Sequence, residues 1–296
     1  MCGIVGLFLK DSSLESQLGA LMAGMLGTMT DRGPDSAGFA VYGSQADGAK
    51  ITLRGPDAAS LKAVVADLRS ALGLTLPALE RDTHTVIVAP SNREADIRAW
   101  LESRPGIDVV GSGRRMEIYK EVGLPADVAQ RFALSTMAGT HGIGHTRMAT
   151  ESAVTTNGAH PFSTGPDQCL VHNGSLSNHN AVRRSLRREG LSFSTDNDSE
   201  VAAGYLTWRM REGRSLKEAL EASLSDLDGF FTFVVGTAEG FAVLRDPIAC
   251  KPAIMAETDD YVAFGSEYRA LVGLPGIGQA RVFEPEPATV YAWERH

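Results

Sequence analysis

The chain has 296 residues, 43% hydrophobic and 22% charged, enough for one large globular domain or two modest ones with a sizeable core. Its formal net charge of -8 disfavours nucleic acid as a partner, because affinity for a phosphate backbone comes from a basic footprint. Cys2, Cys169 and Cys250 are an odd set without CxxC spacing, which supports neither a disulfide framework nor a cysteine-ligated metal and points to a reducing compartment.

The first element, "CGIVGLFL", reads as a strand. "MCGIVGLFLKD" has no basic n-region or cleavage site, and no run reaches the roughly 18 apolar residues of a membrane span, so a cytoplasmic protein without a membrane partner is expected. Apolar residues at Leu14, Leu18, Leu21, Met22, Met25 and Met29 have helical spacing and stop at Gly33-Pro34. "AGFAVYG" and "KITLRG" then read as two strands joined by a polar turn, giving β-α-β-β over the first 54 residues.

From about 55 to 136 the pattern becomes a helix over 57–72, the strand "HTVIVAP", the helix "NREADIRAWLESR", the strand "IDVVGSG" and a helix near "PADVAQRF". It holds no convincing catalytic cluster and is expected to be an inserted α+β subdomain. Strands return as "GIGHTR", "QCLVHNG", "GFFTFVVGT", "GFAVLRD", "PAIMAE", "YVAFGS" and "TVYAW", with helices at about 178–189, 198–211 and 215–225. Sheets covered by helices follow from that alternation, but the topology does not.

Several residues carry chemistry. Loss of Met1 would leave Cys2 with a thiol and a free α-amine, whose ordinary pKa of about 7.7–8.0 suits a general base at neutral pH. The bland alternative is a small buried hydrophobe in a first strand. Arg147 ends "GIGHTR" with a planar donor suited to a carboxylate, or to a structural ion pair. In "VHNGSLSN", Asn173 offers an amide and Gly174 an unobstructed N–H, the materials of an oxyanion hole, although Asn-Gly is also a common turn. Asp198 lies just before or within the first turn of an apolar helix, where capping and an ammonium contact are both open. His145, His160 and His172 read as structural. In "HNAVRRSLRREG", Arg183 and Arg187, and Arg184 and Arg188, are four apart and read as a solvated basic face.

"MCGIVGLF", "DRGPDSAG", "GHTRMAT", "HNGSLSN" and "TDNDSEV" occur in the order and style of the class II, N-terminal-cysteine glutamine amidotransferase domain, and the chain resembles that family over nearly its whole length outside the insertion. "LRDPIACKPAI" and "AFGSEYRAL" resemble its later strand-turn motifs. The resemblance implies an α+β, four-layer αββα Ntn-hydrolase sandwich. It also implies that Cys2 is the nucleophile, that Asn173 and Gly174 form the oxyanion hole, and that Arg147 and Asp198 bind the α-carboxylate and α-ammonium of glutamine. Arg32 matches a substrate-site arginine that orders the N-terminal loop. "ESAVTTNGAHPF" departs from the family's usual sequence after its "HTRxAT" segment and places Glu151 near the expected pocket.

No metal or cofactor is expected on this chain. The sequence ends at residue 296 without room for a synthase domain, so the acceptor site is expected on another subunit. The length and insertion are similar to the amidotransferase-like subunit of glutamate synthase-type complexes, including N-methylglutamate synthase, whose partner subunits would carry FMN and iron-sulfur clusters. A free-standing Ntn-type amide hydrolase and a noncatalytic assembly subunit are the alternatives.

Overall fold

The computed structural model describes residues 2–149 and 153–295. In chain order the elements are β1 (Gly3–Leu9), α1 (Leu18–Gly27), β2 (Ser36–Tyr42), β3 (Ala49–Arg54), α2 (Ala58–Leu72), β4 (Ala78–Arg81), β5 (His84–Ala89), α3 (Glu94–Glu102), β6 (Asp108–Gly113), β7 (Met116–Val122), α4 (Pro125–Arg131) and β8 (His141–Arg147). There follow β9 (Phe162–Gly165), β10 (Gln168–Leu176), α5 (His179–Arg188), α6 (Asp198–Arg211), α7 (Leu216–Asp226), β11 (Gly229–Gly236), β12 (Gly240–Arg245), β13 (Ile254–Glu257), β14 (Tyr261–Gly265), β15 (Arg281–Phe283) and β16 (Val290–Glu294).

The strands form a seven-stranded sheet in the order β15-β13-β14-β1-β8-β2-β7, a five-stranded sheet β16-β12-β11-β10-β9 and a four-stranded sheet β4-β5-β3-β6. All their pairings are antiparallel. Side chains of a strand alternate between faces, and here both faces of each large sheet are apolar. In β1, Val5, Leu7 and Leu9 pack with Met22, Met25 and Leu26 of α1. Ile4 and Phe8 point the other way, into an inter-sheet core with Val171, Val234, Phe241 and Val243. On the far side, Leu170, Phe231, Phe233 and Leu244 pack under Val201, Tyr205, Leu206 and Leu220 of α6 and α7. The result is the expected four-layer αββα sandwich.

The expected hairpin of β2 with β3 does not form. Ala40 of β2 pairs with Ile118 of β7 and Ile143 of β8, whereas Ile51 of β3 pairs with Ile87 of β5 and Ser112 of β6. The separate sheet therefore runs from 49 to 113, and the boundaries expected at 55 and 136 do not coincide with it. Its strands share an apolar cluster with α2 and α3, including Ile51, Leu61, Leu68, Ile87 and Ile97. Residues 116–136 belong to the large sandwich, where Val128, Phe132 and Leu134 join the α1 cluster. The polar turn after β2 marks a change of sheet, and only long-range pairing decides between that and a hairpin.

Close approach of the two large sheets depends on Gly6, where a β-carbon would meet the Phe241 ring at 2.7 Å. Gly24, on α1, has open space around the same position. Gly6→Val should therefore lower the unfolding free energy by about 1–3 kcal/mol through overpacking. Gly24→Ala should raise it by up to about 1 kcal/mol. Urea unfolding of the two variants checks both signs.

Candidate active site

The alternation that builds the core also places the candidate residues. Cys2 precedes β1 in the phase of Ile4 and Phe8, so it belongs to the inter-sheet face. Gly3 and Thr146 are the last pair of the β1–β8 ladder, so Cys2 and Arg147 are the residues that adjoin its end. Arg147 shares its phase with Ile143, an inter-sheet residue. On the opposing sheet Asn173 shares the phase of Cys169 and Val171, both in that same core. Cys2 and Asn173 thus meet at one end of the space between the sheets, the end at which Arg147 closes β8.

The backbone of Cys2 is gripped from both sides. Its carbonyl accepts from Nε of Arg32 at 3.0 Å and from Nδ2 of Asn173 at 3.2 Å. Arg32 is buried, and its Nη1 donates to Oε1 of Glu267 at 2.7 Å. Arg269 also contacts Glu267, at 2.7 Å, and pairs with Asp31 at 2.9 Å. The Arg32 hydrogen bond, with Arg269 adding to it, holds the Glu267 carboxyl below its ordinary range. Ser266 completes the clamp, because Ile4 N–H donates to its Oγ and its own N–H donates to the Ile4 carbonyl, both at 2.9 Å. The guanidinium of Arg32 is thus engaged by Cys2 and Glu267, as a group that positions the chain terminus. "AFGSEYRAL" was visible in the sequence as a motif, but nothing local linked Glu267 to Arg32, 235 residues earlier.

Arg147 is buried, and its Nη1 donates to the Ala153 carbonyl at 3.3 Å. The same nitrogen lies beside Gly158, so the arginine is packed against the loop that follows β8. Glu151 and Met1 lie outside the described residues. Gly33 allows its segment to reach this strand, since a β-carbon there would meet the Thr146–Arg147 backbone at 2.5–2.7 Å.

Gly174 has φ +154°, and a β-carbon would lie 2.0 Å from the Phe230 carbonyl, so both conformation and space require glycine. Asp198 occupies the first turn of α6, and the cap is its neighbour Asn197, whose side chain accepts from the Ser199 N–H. Oδ2 of Asp198 accepts from the Leu176 N–H at 2.9 Å, which ties α6 to β10.

His145, His160 and His172 are buried. His145 and His160 stack with ring centroids 3.9 Å apart, and His145 Nε2 lies 3.0 Å from the His172 carbonyl. Desolvation pushes His145 down to about 3 and His160 well below its ordinary value, so both are neutral. Helix α5 differs from expectation. Arg183 is buried, donating to Asn180 Oδ1 at 2.9 Å and the Asn197 carbonyl at 3.2 Å, so that part of the basic face is turned inward.

A cleft of about 600 Å³ lies elsewhere, lined by Arg98, Ser112, Lys120, Ser194 and Glu200, and it contains none of the candidate residues. Among the described residues no group of three or more His, Cys, Asp or Glu is arranged to hold a metal ion, and no helix is long and apolar enough to cross a membrane.

The sequence pattern of the glutamine amidotransferase domain family matches residues 145–273. The glutamine amidotransferase-like protein GlxB of Rhizobium meliloti (strain 1021) is 63% identical over 299 residues, covering 99% of this chain and 98% of the relative. The chain belongs to the class II glutamine amidotransferase family. A putative glutamine amidotransferase of Methanothermobacter thermautotrophicus is 35% identical over 98% of this chain and 99% of its own. In fold, the chain is similar to glutamine phosphoribosylpyrophosphate amidotransferase of B. subtilis, with a TM-score of 0.62 and 20% identity. A second solved structure, described as the allosteric regulatory enzyme of purine biosynthesis, gives 0.65 and 20%. Both matches cover 99% of this chain, which spans only 49% and 47% of those longer chains. This amidotransferase therefore has the Ntn-hydrolase fold.

The buried imidazoles give the amidotransferase a definite acid response. Burial holds His84 and His141 down to about 3, as it does His145. In the unfolded chain each would protonate near about 6.5, so unfolding takes up protons below that pH. These histidines should contribute no slope above about pH 6.5 and should make stability fall below it, each adding a slope that approaches about 1.4 kcal/mol per pH unit. Urea midpoints measured between pH 7 and pH 5 check this, and a flat profile contradicts it.

Proposed function

We propose that this amidotransferase hydrolyses glutamine at Cys2 and that the ammonia serves a synthase partner. The observation that carries the reading is the hydrogen bond from Asn173 to the Cys2 carbonyl, made between the sheets at the end where Arg147 closes β8. In this reading Met1 is removed and the freed α-amine takes the thiol proton. The Cys2 sulfur then attacks the side-chain carboxamide carbon. The amine returns the proton to the departing nitrogen, and ammonia leaves. Water attacks the γ-glutamyl thioester, glutamate is released and the thiol is restored.

Asn173 and the Gly174 N–H stabilise the oxyanion of the tetrahedral intermediates. An amide has two N–H donors, so one can hold the Cys2 carbonyl while the second meets the substrate oxygen. Arg147 takes the α-carboxylate and Asp198 the α-ammonium of glutamine. Arg32 holds Cys2 in place. The family's solved structures with longer chains, and the likeness to the amidotransferase-like subunit of glutamate synthase-type or N-methylglutamate synthase complexes, support a partner that consumes the ammonia. FMN and iron-sulfur clusters would belong to such partners. The sheet of residues 49–113 is proposed as an inserted unit available for docking.

Cys2→Ala should abolish glutamine hydrolysis. Asn173→Ala should lower kcat by about 10²- to 10³-fold, because an oxyanion donor acts chiefly in the transition state. Arg147→Ala or Asp198→Ala should lower kcat/KM by about 10- to 150-fold, mainly through KM, corresponding to a charge-assisted bond of about 1.5–3 kcal/mol. Steady-state assays of ammonia release check these values, and an unchanged kcat in folded Asn173→Ala would remove it from the oxyanion hole. Partner coupling predicts slow turnover by the chain alone and faster turnover with co-expressed synthase subunits and their acceptor. Equal rates with and without partners would instead favour a free-standing amidase.

A further inference from the structure

His172 belongs to the "HNG" motif, yet neither the nucleophile nor the oxyanion hole uses its imidazole. Side-chain alternation turns it away from Cys2. Asn173 faces the inter-sheet space, while His172 shares the phase of Leu170 and Leu176, which face α6. There its Nδ1 lies 2.9 Å from Ser199 Oγ and 3.8 Å from Asp198 Oδ1. The Ser199 hydroxyl donates to the same Asp198 oxygen at 3.3 Å. The other oxygen of Asp198 is held by the Leu176 N–H at 2.9 Å. Both oxygens of the carboxylate are thus fixed by groups of β10 and the first turn of α6.

We propose that His172 is a positioning residue which, through Ser199, orients the Asp198 carboxylate for the α-ammonium of glutamine; this rests on the functional reading above. A serine hydroxyl that donates to Asp198 has lone pairs left to accept, so it takes the hydrogen of His172 Nδ1. The negative carboxylate 3.8 Å from Nδ1 favours the same tautomer. Nε2 is then the unprotonated nitrogen, and it is buried without a hydrogen-bond partner among the described residues, beside Gly174, where a β-carbon would meet it at 2.8 Å. The ring itself is wedged edge-to-face against Phe233, with centroids 5.1 Å apart. Burial lowers the pKa of the ring against the opposing pull of Asp198, so the relay uses the neutral imidazole. One residue thereby couples the element that carries the oxyanion donors to the helix that carries the ammonium acceptor. A carboxylate held at both oxygens presents its charge in one direction, which favours a substrate bearing an α-ammonium over an amide without one.

The test compares glutamine with glutaramate, the same γ-amide lacking the α-amine, in His172→Phe, His172→Asn and Ser199→Ala variants of the full chain. Phenylalanine keeps a ring against Phe233 without a donor, and asparagine can restore a donor near the Nδ1 position. In His172→Phe the preference for glutamine should fall about tenfold or more through the KM for glutamine, with kcat and the glutaramate constants little changed. Ser199→Ala should lose the preference several-fold, and His172→Asn should regain most of it. Ser199→Ala also keeps the test open should His172→Phe fail to fold. A wild-type protein that prefers glutamine, with variants that keep that preference or lose both activities equally, overturns the relay alone. A wild-type protein that does not distinguish the two amides overturns the functional reading and the relay with it.

Discussion

The carbonyl oxygen of Cys2 is where the architecture of this protein meets its proposed chemistry. A chain terminus ordinarily frays, because a few residues gain too little from contacts to offset the entropy of being ordered. Here one oxygen accepts from Arg32 and from Asn173, the latter on the opposite sheet, while Ser266 engages both polar backbone groups of Ile4. The terminus is consequently part of the sandwich. Arg32 in turn depends on Glu267, which is also paired with Arg269, itself held by Asp31. A buried arginine deprived of its carboxylate would leave an uncompensated charge next to Cys2.

The arrangement of sheets makes this economical. Antiparallel strands alternate their side chains, so one register sorts residues into two sets. In β10 the odd positions send Cys169, Val171 and Asn173 between the sheets, and the even positions send Leu170, His172 and Leu176 toward the helices. Three consecutive letters, His172, Asn173 and Gly174, thus serve different surroundings. The proposed nucleophile and oxyanion donor share one face, and the support for Asp198 lies on the other. Gly174, which follows them, has a backbone conformation that a larger residue would not adopt.

Much of this was legible in the sequence because it was local. The apolar runs of β1, β11, β12 and β14 and the helices expected over 57–72 and 198–211 agree with the structure closely. Strand β7, "MEIYKEV", was missed, since its charges look like a surface loop. They are accommodated by Lys50, which pairs with Glu117 at 2.8 Å, and by the carbonyl of Ala159, which Lys120 Nζ reaches at 2.8 Å. The partner of β3 was misread for a related reason. A polar turn between two apolar runs carries no information about which sheet the second run will join. Likewise Arg183 lies four residues from Arg187 on a basic helix, but the Asn197 carbonyl that buries it comes from the following loop. At the site, Cys2, Arg147, Asn173, Gly174 and Asp198 were named from motifs, whereas Glu267, Ser266 and Ser199 emerge only when distant segments are brought together.

The central claim is that the chain terminus itself carries the nucleophile. It is tested most directly by treating the purified chain with 6-diazo-5-oxo-L-norleucine, a glutamine-like electrophile, and locating the adduct by intact-mass and peptide mass spectrometry. The account predicts a single adduct on Cys2 of a chain lacking Met1, suppressed by glutamine. Retention of Met1 together with labelling of Cys250, or full labelling of the Cys2→Ala protein, would contradict it.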